Sequence, residues 1–189
     1  LALDPRTVRA ELGVVLSDFD GRHWQLEKVF EDRFAEIEPR LGLNGQTVKR
    51  ETRRLIGAYF CHEYSFSAAA LMNPSVVRHP DQSGLPDGSI RILLSLRAVG
   101  EGHISTIAFR EGIVSPGRNL ALLAQPPFAT AAMLGKHRAD KPEDTLSLYR
   151  HRESTISGMV IFPITEAQRN GLEDLRLVEF IRDSGKSEW

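Results

Sequence analysis

The stretch NGLEDLRLVEF, residues 170 to 180, sets two adjacent carboxylates, Glu173 and Asp174, between the turn pair Asn170-Gly171 and a run carrying Leu175, Leu177, Val178 and Phe180. Such acids either face water in a solvated turn or serve a pocket. A proton donor working near neutral pH needs its pKa raised by burial or by a neighbouring carboxylate. Adjacent strand residues point to opposite faces, so Glu173 couples directly to Asp174 only if the pair lies in the turn. Glu173 therefore reads as a positioning group. Other polar residues stand at strand ends and turns: Asn73 before Pro74, Arg97 within the apolar run ILLSLRAV, then Glu101, His103, Ser105 and Arg176. An unpaired buried guanidinium is prohibitively costly, so Arg97 must reach solvent or find anionic and hydroxyl partners, and Asp174 beside Arg176 offers such pairing. The bland explanation of the same set is turn acids and a salt bridge, with His103 as a structural hydrogen-bonder and Asn73 as a turn initiator.

Other chemistries fail on spacing. A paired-histidine zinc helix needs a second histidine four positions after the first, and Phe66 stands there after His62. Gly100-Glu101-Gly102 lacks the third glycine and the following helix of a dinucleotide fingerprint, so it reads as a turn. Neither a phosphate loop nor a Gly-x-Ser-x-Gly elbow occurs. Cys61, between Tyr59, Phe60 and Tyr64, reads as an inert buried thiol.

The elements that must hold these residues change character along the chain. Asp4-Pro5 announces a first helix with Val8, Leu12, Val15 and Leu16 at helical spacing. HWQLEKVFEDRFAEIEPRL repeats apolar residues every three or four positions, from Trp24 to Leu41. A third helix is expected from about Thr47 to Phe60. Its cluster Lys49, Arg50, Arg53 and Arg54 is interleaved with Glu51 and apolar residues and reads as a solvated helix face. From Ser65 onward, RILLSLRAV (91 to 99), HISTIAF (103 to 109) and MVIFPI (159 to 164) read as strands, with turns at Pro86-Asp87-Gly88, Gly100-Glu101-Gly102 and Arg110-Glu111-Gly112. PEDTLSLYRHRES suggests a short helix capped near Asp140 or Pro142.

The 189 residues are 41% hydrophobic and 26% charged, enough for one sizeable core. Twenty-four basic residues against 25 acidic ones give a net charge of -1, which advertises neither nucleic acid nor an anionic membrane. The N-terminus has neither the order of a signal peptide nor a membrane-spanning run. One cysteine precludes an internal disulfide and suits a reducing, cytoplasmic setting. The absent initiator Met and the stop at Trp189 suggest a piece of a longer protein.

Taken in order, AALMNPSVVRHPDQSGLPDGSIRILLSLRAVGEGHISTIAFREGIV and the later VIFPITEAQRNGLEDLRLVEF resemble glycoside hydrolase family 130, the bacterial β-mannoside phosphorylases and β-mannosidases. The resemblance spans roughly residues 55 to 186. It is carried by Asn73-Pro74, by Arg97-Ala98 followed by His103-Ile104-Ser105, and by Gly171-x-Glu173-Asp174-x-Arg176. The family's usual motif has Pro after the Asp; Leu175 stands here and points to a divergent subgroup.

The resemblance implies a mainly β fold with an N-terminal helical segment: a helical extension over residues 1–64 and part of a five-bladed β-propeller over 65–189. A blade needs about 40–50 residues, so about two blades fit. It also implies Asp174 as general acid, Asn73, Arg97, His103, Ser105, Glu173 and Arg176 as substrate-binding residues, an oligosaccharide substrate, and no metal or organic cofactor. Inverting cleavage then uses inorganic phosphate as co-substrate, or water activated by a second carboxylate roughly 6.5–9.5 Å away. The residues that clamp phosphate in the family's phosphorylases would lie beyond residue 189. Phosphorolysis to mannose 1-phosphate leads, an inverting β-mannosidase is the alternative, and a non-catalytic sugar-binding or interaction fragment is the third reading; the fragment alone is expected to be inactive. Homo-oligomer formation through the helices would be marked by exposure of Trp24, Phe30 and Phe34.

Overall fold

The computed structural model describes residues 2–43, 47–117, 119–135 and 145–189. The chain divides into two compact units, Leu1–Glu63 and Tyr64–Trp189. The first holds three α-helices and the second a mostly open multi-strand sheet.

In the helical unit, α1 runs Pro5–Asp18, α2 Leu26–Ile37 with a 3-10 turn Glu38–Arg40 after it, and α3 Arg50–Tyr59. Asp4 starts α1 by accepting hydrogen bonds from the N–H groups of Arg6 and Thr7 at 2.8 and 3.1 Å, two donors that the first turn cannot satisfy itself. Val8 and Leu12 of α1 pack with Leu55 of α3. Gly57 admits close approach of α2: a Cβ there would stand 1.9 Å from the Phe30 carbonyl oxygen. Phe30 and Phe34 are buried and Trp24 is half-buried, so the exposure set as the mark of association is missing from both phenylalanines. The basic face of α3 is less solvated than its sequence suggests. Arg54, with its side chain 13% exposed, pairs with Glu27 and Glu31 at 2.8 and 2.5 Å, and Arg53 lies over the Phe34 ring. Cys61 is half-buried, and that burial pushes its thiol pKa up, away from nucleophilic use.

The second unit contains β1 (Ala70–Arg78), β2 (Ile90–Val99), β3 (Ser105–Ser115), β4 (Asn119–Leu122), β5 (Thr130–Ala131), β6 (Met133–Leu134), β7 (Leu148–Tyr149), β8 (Met159–Ile161), β9 (Phe180–Ile181) and β10 (Ser187–Glu188). The main sheet has the order β1-β2-β3-β8-β5, with β4 also paired to β3. β1, β2 and β3 are antiparallel neighbours, and Ala98, Thr106, Ile107, Ala108, Phe109 and Val160 form the buried centre.

Arg110-Glu111-Gly112 is no turn but the middle of β3, opposite Leu94, Leu93 and Ile92. Gly112 serves space, not bending: a Cβ would come 3.1 Å from the Ala121 oxygen and from Leu120 Cδ1 on the incoming β4. His103 lies outside the strand, in the 3-10 turn Glu101–His103. β1 was not expected from its sequence, because Asn73-Pro74 in its middle looks like a break. MVIFPI yields only Met159–Ile161, since Pro163 has no N–H to offer a ladder. The helix expected over PEDTLSLYRHRES falls partly outside the described residues; its described part holds β7 instead. Among the described residues, no helix is long and apolar enough to cross a membrane.

Candidate active site

The site begins with an irregularity in β1. Met72 pairs with Arg97 and Ser75 with Ser95, so Asn73 and Pro74 together oppose only Leu96. Two residues against one is a β-bulge, suited to Pro74, which lacks a ladder donor. Asn73 takes up the extra length with a left-handed φ of 52°, a conformation that asparagine tolerates better than most residues. The bulge turns its amide toward the last part of the chain, where Nδ2 donates to Asp174 Oδ1 at 2.9 Å.

Arg97 and Ser105 rise from neighbouring strands. Val99 pairs with Ser105, so Ser105 stands diagonally from Arg97 on the same face. Arg97 Nε donates to Ser105 Oγ at 3.1 Å, and its Nη1 meets Glu173 Oε2 at 2.7 Å. The partner of Arg97 is thus Glu173, not Asp174 as the sequence suggested.

Residues 171 to 177 contain no strand and lie on this face. Leu172 N–H donates to the Ser105 carbonyl at 3.0 Å, Ser95 Oγ donates to the Leu175 carbonyl at 2.5 Å, and Leu177 N–H donates to Ser75 Oγ at 3.0 Å. Gly171 makes the close approach feasible: its φ is 100°, and a Cβ would stand 2.8 Å from Ser105 Cβ. Glu173 and Asp174 consequently diverge. Glu173 reaches outward, its side chain 84% exposed, while Asp174, 22% exposed, meets Asn73 on one oxygen and Arg176 Nη2 at 2.7 Å on the other. One donor thus meets each carboxylate oxygen, and Arg176 itself is largely exposed.

The fold therefore unites Asn73, Asp174 and Arg176 in one cluster and Arg97, Ser105 and Glu173 in another beside it. His103 joins neither: it is exposed, its φ is 60°, and its ring has no partner among the described residues. The neighbouring Glu101 is tied elsewhere, accepting from Ser65 N–H at 2.8 Å, while its carbonyl accepts from Tyr64 Oη at 3.0 Å. Ser75 and Ser95 were missed at the sequence level. Ser95 carried a signal, since a hydroxyl two positions before Arg97 in an apolar strand shares its face. Among the described residues, no group of three or more His, Cys, Asp or Glu is placed to hold a metal ion.

Compared with protein-family models, curated proteins and solved structures, the chain finds no match.

Proposed function

We propose that this chain forms part of a carbohydrate-active enzyme that cleaves β-mannosides by inverting phosphorolysis, with Asp174 as the proton donor. The observation carrying the reading is the meeting of Asn73 and Asp174 across 101 residues of sequence, with Arg97, Ser105, Glu173 and Arg176 alongside. Amide, guanidinium, hydroxyl and carboxyl groups grouped on one sheet face match the alternating donors and acceptors of a pyranose, and such a site rejects analogues that leave its polar groups unpaired. In the reaction, a phosphate oxygen bonds to the anomeric carbon as the glycosidic C–O bond breaks with inversion. The leaving oxygen keeps the electron pair and takes a proton that originates on Asp174 and is relayed through a sugar hydroxyl. Arg97 and Glu173 orient the sugar, and His103 extends from its turn as a further contact. The products are mannose 1-phosphate and the shortened saccharide, with no metal or organic cofactor required.

In this reading the multi-strand sheet belongs to a partial β-propeller, the helical unit is an extension to it, and the enzyme works in the cytoplasm. The test is release of mannose 1-phosphate from β-mannobiose by the full-length protein carrying this chain. Release that requires inorganic phosphate, and that falls at least about a hundredfold in Asp174→Asn, is the expected result. Phosphate-independent release of free mannose would replace the phosphorylase with a β-mannosidase. Unchanged turnover in Asp174→Asn would remove that residue from the mechanism.

A further inference from the structure

The segment that carries both carboxylates is seated by groups outside the reaction. Ser75 on β1 and Ser95 on β2 are direct cross-strand partners, and Ser105 on β3 pairs with Val99, four residues from Ser95. All three side chains therefore stand on one face. Ser95 is 1% exposed and Ser105 3%. Bonds to the segment follow an order: the Ser105 backbone carbonyl accepts from Leu172 N–H, the Ser95 hydroxyl donates to the Leu175 carbonyl, and the Ser75 hydroxyl accepts from Leu177 N–H. The segment thus crosses the sheet from β3 over β2 to β1. A chain crossing strands cannot extend their ladder, because ladder bonds form only between strands running side by side. Groups reaching up from the face are left to satisfy its backbone, and serine does so with the shortest side chain that both donates and accepts.

We propose that Ser95 and Ser75 are positioning residues: their hydroxyls dock residues 172–177 and thereby aim Asp174 at Asn73 and Glu173 at Arg97. The consequence for catalysis rests on the reading of Asp174 given above; the docking itself does not. Without the Ser95 hydroxyl, the Leu175 carbonyl would lose its partner, and the backbone next to Asp174 would lose its nearest anchor to the sheet.

The experiment pairs amide hydrogen exchange with kinetics on the full-length protein. In Ser95→Ala, the amides of Leu172 and Leu177 should exchange about tenfold faster while those of Ile107 to Phe109 keep their rates. The turnover number should fall by about tenfold to a hundredfold with KM little changed, and Ser95→Thr, which restores a hydroxyl, should recover both. Uniform acceleration across sheet and segment would show Ser95 to be merely structural, and unchanged exchange would show that it docks nothing; either overturns the proposal. Should Ser95→Ala fail to fold, Ser75→Ala repeats the test at the Leu177 amide, whose acceptor it removes. Local loosening in a protein that does not cleave mannosides would leave the docking intact and defeat the sugar reading alone.

Discussion

β2 and β3 exchange backbone partners through ten successive pairs, from Ile90 with Val114 to Val99 with Ser105. The backbone of residues 172 to 177 is held to the same sheet by one strand carbonyl and two serine hydroxyls. In the ladder no single side chain is needed for pairing, and side chains act through packing. In the crossing segment two of these three bonds each depend on one side chain, Ser95 or Ser75, so small changes there should act locally. The two regions are therefore separable by mutation.

The largest effect is expected in the ladder's core. Phe109, 5% exposed, pairs with Ser95 on the face that the segment crosses, and Phe109→Ala should cost about 3–5 kcal/mol by removing a buried aromatic and leaving a cavity. Denaturant unfolding should show a lower midpoint for the whole sheet unit. A loss below about 1 kcal/mol would mean that the site collapses freely and that the sheet is less rigid than its ladder implies.

Gly171→Ala attacks the other region. At φ 100° an alanine is strained, and its Cβ would meet Ser105 Cβ at 2.8 Å and Ser105 N at 2.9 Å. The cost should be about 1–3 kcal/mol, relieved by lifting the segment off β3. Amide exchange at Leu172 should accelerate while the β2–β3 amides hold. If the β3 amides loosen equally, sheet and segment form one cooperative unit and the contrast between them fails.

What could be read beforehand follows the same division. The helices and β2 follow from local periodicity and from Asp4-Pro5, because the residues that define them are close in sequence. β1 was illegible since Asn73-Pro74 imitates a turn, and only pairing with β2 shows that it is a bulge. Gly112 misled for a related reason: its smallness makes room for β4, a neighbour that no local window reveals. At the site, the residue types of Asn73, Arg97, Ser105 and Asp174 were legible, but their pairing was not. Whether Arg97 meets Glu173 or Asp174 depends on where residues 171–177 cross the sheet, which is set by Ser95 and Ser75, some 80 and 102 residues away from their partners.

A smaller effect should come from Glu173→Gln. The Arg97 pair is close at 2.7 Å, yet Glu173 is 84% exposed, and water screens such pairs to below about 1 kcal/mol. Glutamine also keeps an oxygen that can accept from Arg97. Thermal unfolding should barely move, and a measured loss above about 2 kcal/mol would show Glu173 to be a structural anchor of the segment.

The smallest effect tests the connection between β1 and β2, a loop held, like the crossing segment, by side chains. Asp81 Oδ1 accepts from the Ser83 hydroxyl at 2.6 Å and from Ser83 N–H at 2.9 Å, while Oδ2 faces Arg91 Nη1 at 3.0 Å. These partners, the Ser83 hydroxyl foremost, hold the Asp81 pKa below its ordinary value of 3.8. A carboxylate with a depressed folded-state pKa contributes stability that is fully present above the unfolded value and disappears as pH falls through the folded one. Acid titration should therefore show a shallow loss of stability starting near pH 3.8 and continuing below it, and Asp81→Asn should flatten that limb. Exchange at Ser83 N–H, compared at equal intrinsic rates, should rise over the same interval as its acceptor is protonated. An unaltered acid limb in Asp81→Asn would mean that this loop is held by its other bonds, those of Gln82 to the His79 and Arg91 carbonyls and of the Arg91 guanidinium to the Asp81 and Ser83 carbonyls.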